Sequence, residues 1–338
     1  MSHEITVGSN GVAEAAYSIT PAWHGLGIVF DNVMTSEEAC RSANLGWEVE
    51  KVPVWIEGTT NGFEKIPRYM MNVRSDNGFQ LGMVGKNHRN IQNTEAFSLL
   101  DSLVMDGILN YESAFSLNGG RDVVLLARMP DIDEVVEGDI SRRYLMCSLN
   151  HSGRECDIWT PTNMRAVCAN TRRIAILGAT QDEIIKVRHS GDVDQKLSDV
   201  RERLIKINKA FGDSNEVAKK LAATPVVPQE FEDFLNKMVP VPSIWEKDYS
   251  NRKRKVAEDN RELIRWNFNE SPAQSIRGMS RSAWAAYNSL TQWVDHREYK
   301  GKTTRNKAET RFKVSQTGTG NELKVRAWNY FATGVTPN

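Results

Sequence analysis

No stretch of eighteen consecutive apolar residues occurs in this 338-residue chain, so it carries no candidate membrane-spanning helix. Its opening residues, MSHEITVGSNGVAEAAYSIT, lack a basic stretch followed by an apolar one, and no export signal is read there. Cysteine is sparse. Cys40, Cys147, Cys156 and Cys168 form no C-x-x-C pair, and the expected setting is a reducing cytoplasm rather than a disulfide framework. Neither sign of charge is in excess, with 43 Lys plus Arg against 43 Asp plus Glu, so any preference for a charged partner must come from local clustering. The six histidines form neither H-x-x-x-H nor H-E-x-x-H, which argues against a dedicated zinc site. Also missing are the phosphate loop G-x-x-x-x-G-K-[ST] and the nucleophile elbow G-x-S-x-G, and Gly25-Leu26-Gly27 is too short for a dinucleotide fingerprint. No cofactor is expected.

What is present is a soluble-type composition, 40% hydrophobic and 25% charged, without repeats or low-complexity tracts. Pro21 to Gly27 reads as a tight turn covered by an aromatic ring, with the Trp23 indole buried and the His24 imidazole hydrogen-bonded nearby. Thr35 with Glu38 has capping-box spacing and predicts a helix ending near Asn44 to Gly46. Trp47 to Ile56 alternates at period two, and Pro53 puts that strand on an edge or at a bulge. Further strands are predicted near 68–74 and 79–84, joined by the turn Asp76-Asn77-Gly78, then near 109–117, 123–129 and 143–149. A helix opens at Asn93, with Phe97, Leu100, Leu103 and Val104 on one face, and Thr160-Pro161 carries the signature of another helix start. From Val193 the seam Val193, Leu197, Val200, Leu204, Ile207 and Phe211 suits intramolecular helix packing, with a dimeric coiled coil as the alternative. Helices follow near 231–238, 256–267 and 281–296, where Trp284, Tyr287 and Trp293 read as core. The expected fold class is α+β: an antiparallel-rich sheet with packed helices over 1–190, a mostly helical region over 191–298, and a basic tail over 299–338.

Four stretches carry a family resemblance. They are Ala22-Trp23-His24-Gly25-Leu26-Gly27, the run from Thr160 to Thr171, Arg188-His189-Ser190-Gly191, and Ala283 to Asn288 together with Val294-Asp295-His296. On these the chain resembles the phage- and plasmid-borne family called domain of unknown function 932. The resemblance implies a mobile-element protein of a bacterial host and names no activity. The order of elements from Ser36 to Val104 also resembles single-strand annealing proteins of the Rad-fifty-two and Redβ type. That likeness implies an oligomeric protein holding single-stranded DNA along a basic groove, and phage recombination or replication proteins as possible partners.

Binding of unpaired strands needs clustered cations for phosphates and aromatic faces for bases. Four clusters qualify: Lys86, His88 and Arg89 at a strand-to-helix junction; Arg165, Arg172 and Arg173, read as lying on one helix; Arg252, Lys253, Arg254 and Lys255; and the tail with Arg305, Lys307 and Arg311. Asp131-x-Asp133-Glu134 raises metal-dependent nuclease chemistry, which gathers carboxylates around a cation, but no lysine completes such a motif. The expectation is therefore a non-enzymatic homo-oligomer that binds and anneals single-stranded DNA. The alternatives are an interaction protein acting on a host or phage complex and a metal-dependent nuclease.

Overall fold

The structure, a computed structural model, describes residues 3–58, 62–129, 133–137, 140–162, 165–178, 183–245, 249–272, 279–297, 314 and 319–333. The fold is α+β. The chain divides into two compact units, one comprising Met1–Ile132 with Arg142–Asn208 and the other Asp133–Ser141 with Lys209–Asn338.

The first unit is built on a seven-stranded sheet of β1 (Ala15–Ser18), β2 (Ile28–Phe30), β6 (Asn110–Leu117), β7 (Asp122–Arg128), β10 (Tyr144–Asn150), β11 (Asp157–Thr162) and β12 (Ile185–Val187). Their order across the sheet is β12-β11-β10-β7-β6-β1-β2, and every pairing is antiparallel except β1 with β2. Successive side chains alternate between two cores. Val123, Leu125, Leu145, Cys147 and Trp159 face one, and Val124, Leu126, Tyr144 and Met146 face the other. Helix α1 (Ser36–Ser42), α2 (Asn93–Met105) and the start of α4 (Val193–Ala223) cover the first face. The amino-terminal segment and α3 (Ala169–Gly178) cover the second. A sheet covered on both faces favours continuous apolar strands, as in β7 and β10, whereas β6 buries Glu112, Ser113 and Ser116 among its apolar residues. Val193, Val200 and Leu204 of α4 are buried in the first core with Leu197 and Ile207 against it, so this part of the seam packs intramolecularly. The side chain of Phe211 lies outside the described residues.

A separate antiparallel meander, β3 (Val49–Glu57), β4 (Phe63–Arg74) and β5 (Gln80–Gly85), follows α1. Thr35 and Glu38 form the capping box of α1. Pro53 lies on the edge strand β3 at a register shift, satisfying both expectations for that residue. Gly78, at φ +70°, closes the β4–β5 turn. Gly82 of β5 runs so close to the backbone of Ser152 that a methyl group there would collide with it.

Two local expectations are corrected. Thr160-Pro161 belongs to strand β11, not to a helix start; Pro161 pairs with Leu145 near the end of that strand, beyond the part that β12 pairs. Trp23 is 66% exposed, and the ring against the turn is that of Tyr17, which a Cβ at Gly27 would strike. His24 does donate from Nε2 to the Val167 carbonyl at 3.0 Å, while its Nδ1 accepts from the Leu26 amide at 3.2 Å.

The second unit holds a short hairpin of β8 (Asp133–Glu134) and β9 (Ile140–Ser141) and the helices α5 (Pro228–Met238), α6 (Asn251–Glu270), α7 (Ala283–His296) and α8 (Thr319–Ala332), with the later part of α4. Its core gathers Phe231, Phe234, Ile264, Phe268, Leu290 and Trp293, and Trp284 and Tyr287 pack against it.

One buried charge ties the first unit together. The Arg74 side chain is 1% exposed and binds Glu14 at 2.8 and 3.0 Å, Asp76 at 2.8 and 3.0 Å and the Gly119 carbonyl at 3.2 Å, with its guanidinium 4.5 Å over the Trp47 ring. Replacing Arg74 by Met strands the buried Glu14 carboxylate, and the expected loss is about 3–5 kcal/mol in a urea titration. Adding Glu14→Leu should recover part of that loss.

Candidate nucleic-acid interface

Where β5 ends beside the middle of β4, the chain forms an open groove of about 650 Å³ with the segments 153–156 and 188–190. Close contact between Gly82 and Ser152 brings the second wall to the sheet. Arg68, Lys86, Arg154 and Arg188 line the groove and are exposed. Among the described residues, none of these four side chains takes part in an ion pair or hydrogen bond. Glu155 is the carboxylate of the lining, and it is already 3.3 Å from Arg172. Four unpaired cations around one concavity make an anion-attracting field.

The inner wall is histidine. His88 stacks on His189 with ring centres 4.5 Å apart. His189 Nδ1 is 3.1 Å from the Arg89 carbonyl and must donate to it, while Nε2 lies 3.2 Å from Asp157 Oδ1. Burial opposes charge on His189, but Asp157 outweighs it and raises the imidazolium above its ordinary range. Burial drives His88 down to about 4, helped by the neighbouring charges of His189 and Lys51. Fully buried His151, whose Nε2 donates to Asn93 Oδ1 at 2.9 Å, is lowered to about 3 by burial first and then by His189, His88 and Arg74. Of the three rings, His189 is thus the one whose charged form its surroundings favour.

On the meander, directly opposed residues share a face. Val52 opposes Met71 and Met71 opposes Met83, so these residues and Tyr69 occupy one side of the sheet; beyond the register shift at Pro53, Trp55 opposes Lys65 and Glu57 opposes Phe63. Trp55 is 56% exposed, Phe63 77% and Tyr69 39%. Asn72 and Arg74, on the opposite side, are buried. A strand of alternating apolar and polar residues would ordinarily turn its aromatics inward; here they face solvent.

The sequence candidates separate. Lys86 and His88 line the groove. Arg89 turns away from it, binding both Glu95 oxygens at 2.7 and 3.1 Å and Asp194 at 2.6 Å. Arg165 does not share a helix with Arg172; it precedes α3 and is held by Glu112 and the carbonyls of Thr20 and Pro21. Arg172 reaches Ser148 Oγ at 2.6 Å, Glu155 at 3.3 Å and Asp122 at 3.5 Å, whereas Arg173 is exposed on α3. Arg252, Lys253, Arg254 and Lys255 form the exposed start of α6 in the second unit, with Arg254 2.8 Å from Glu258. Arg305, Lys307, Arg311 and Asp131 lie outside the described residues. Sequence reasoning passed over Arg68, Arg154 and Arg188, although Arg188 stands inside the family stretch Arg188-His189-Ser190-Gly191.

An α+β protein with an unpaired cationic groove and an exposed aromatic sheet face is a candidate ligand-binding protein. The chain belongs to the family described as Domain of unknown function (DUF932), whose model matches residues 80–317. No curated protein and no solved structure matches the chain, so the likeness to Rad-fifty-two and Redβ proteins gains no support.

Acid should destabilise the first unit. Below about pH 6.5 the unfolded chain binds protons at positions 88 and 151 that the folded chain refuses until about 4 and about 3. His189 acts oppositely, stabilising below its ordinary value and losing that contribution as pH rises. Urea midpoints should fall from pH 6.5 toward 4, and His151→Gln should flatten that decline.

Proposed function

We propose that this protein binds single-stranded DNA, with phosphates in the groove of Arg68, Lys86, Arg154 and Arg188 and bases stacked on Tyr69, Trp55 and Phe63. The observation that carries the reading is the convergence of four unpaired cations on one groove. Phosphates are the polyanion such a groove fits, and the one carboxylate of the lining, Glu155, is already beside Arg172.

The aromatic face favours unpaired strands. Arg68 and Tyr69 are consecutive on β4 and project to opposite sides of the meander. Tyr69 opposes Gly85 on the edge strand β5, where no side chain covers it, and Lys86 follows immediately. A strand passing over that edge meets cations on one side and an aromatic ring on the other. Single strands bend this tightly, whereas a duplex, with a persistence length of about 150 base pairs, does not. Binding that screens phosphates while keeping bases accessible is what annealing of complementary strands requires, and a mobile-element recombination or replication role follows from it. No cofactor is needed.

Fluorescence anisotropy with a labelled oligonucleotide, without magnesium, tests the proposal. Four phosphate contacts predict a slope of log K against log salt near about −3, at roughly −0.7 per contact. Arg68→Ala or Arg154→Ala should reduce the slope by about 0.7 and leave folding intact. Trp55→Ala should weaken binding about 5- to 100-fold with the slope unchanged, as loss of one stacked base predicts. A docking site for a protein on the same apolar face would give no DNA binding even at low salt, and that result sinks the proposal.

A further inference from the structure

Granting that the groove binds single-stranded DNA, we infer that it selects the phosphorylated end of a strand, a terminal phosphomonoester, over a linkage in the middle of one. Arg68, Lys86, Arg154 and Arg188 share the lining with one carboxylate, Glu155. Behind them, His189 lies 3.2 Å from the buried Asp157, and that pair balances itself. Four cations against one carboxylate leave the lining with a formal charge of +3.

Charge is the first reason for an end. A linkage within a strand brings one negative charge, whereas a phosphomonoester brings about −1.5 to −2 near neutral pH. With the linkage behind it, a phosphorylated end supplies up to about −3, which matches the lining. Unphosphorylated strand would have to place three successive linkages in the groove to do the same. The groove's volume of about 650 Å³ is that of a small-molecule site rather than of a channel for several nucleotides.

Hydrogen bonding is the second. A linkage offers two non-bridging oxygens, and a terminal phosphate offers three. Each arginine is a rigid fork of five donors suited to bidentate contact, and lysine adds three more. Three such forks line one concavity here, so a terminal phosphate leaves fewer donors idle than a linkage does. Gly85 and Gly153 bring no side chain to that lining, while Asn87 and Ser190 bring neutral polar ones.

Shape is the third. The stack of His88 on His189 forms the inner wall. A linkage within a strand must leave the groove in two directions. An end needs a single exit, and the β5 edge beside Tyr69 provides it.

The test is fluorescence anisotropy without magnesium on one internally labelled oligonucleotide in three forms: hydroxyl at both ends, phosphate at the 5′ end, and phosphate at the 3′ end. One phosphorylated form should bind at least about tenfold more tightly than the hydroxyl form, the worth of one added charge-assisted hydrogen bond, and which form it is gives the strand polarity. That preference should shrink a few-fold as pH falls from about 7.5 to about 5.5, because the second ionisation of a phosphomonoester lies near about 6. Changing Arg154→Ala and Arg188→Ala together should bring the preference to within about twofold of unity. Both side chains are exposed, so circular dichroism should not change. Equal affinity for all three forms overturns the inference and leaves single-strand binding standing. A preference that survives the double change also overturns it, since the phosphate would then sit elsewhere. If none of the three binds even at low salt, both readings fall.

Discussion

The guanidinium of Arg74 is the fixed point of the first unit. Removing it and its two carboxylates from water costs several kcal/mol per ion, and only saturated geometry makes that tolerable. Four protein groups supply it: the Glu14 carboxylate ahead of β1, Asp76 in the β4–β5 turn, the Gly119 carbonyl between β6 and β7, and the indole of Trp47. Asn44, at the end of α1, adds a bond to Glu14 at 2.8 Å. Elements far apart in sequence thus share one charge, and the meander is held to the seven-stranded sheet by a contact that tolerates little displacement.

The groove inherits its shape from that attachment. With β4 pinned at Arg74 and β5 pressed onto Ser152 through Gly82, the middle of β4 at Arg68 and the end of β5 at Gly85 lie beside the 153–156 and 188–190 segments. His189 fastens the second of these, because its ring and backbone both exchange hydrogen bonds with Arg89 while Asp157 faces its other nitrogen. The interior is thereby spent on holding walls in place. Among the described residues of the lining, Arg68, Lys86, Arg154 and Arg188 are the cations left without an ion pair.

Much of the fold could be read from local patterns. Thr35 with Glu38, the Asp76-Asn77-Gly78 turn, Pro53 on an edge and the seam from Val193 each follow from short-range chemistry, and the structure has each of them. Strands β1 and β12 escaped because Ala15–Ser18 and Ile185–Val187 are too short to show a period and take their identity from neighbours. Pro161 misled because proline at a helix start and proline near a strand end look alike in one dimension. The candidate site was legible in part. Clusters of cations in sequence proved to be of two kinds, since Arg89, Arg165 and Arg172 have carboxylates beside them that only folding brings there. The four unpaired cations come from four separate segments, and no linear pattern joins them.

The β8–β9 hairpin has a consequence for how the chain is made. Residues 133–141 leave the first unit between β7 and β10 and belong to the second, where Val136 packs against a core that includes Ala327. A ribosome working at about 5–20 residues per second needs roughly 10–40 s to travel from Val136 to Ala327. During that interval the first unit can close around the excursion, but the hairpin waits without its full core. The order of synthesis therefore leaves one apolar tip uncovered until the last helix emerges, which is where a chaperone would find this nascent chain.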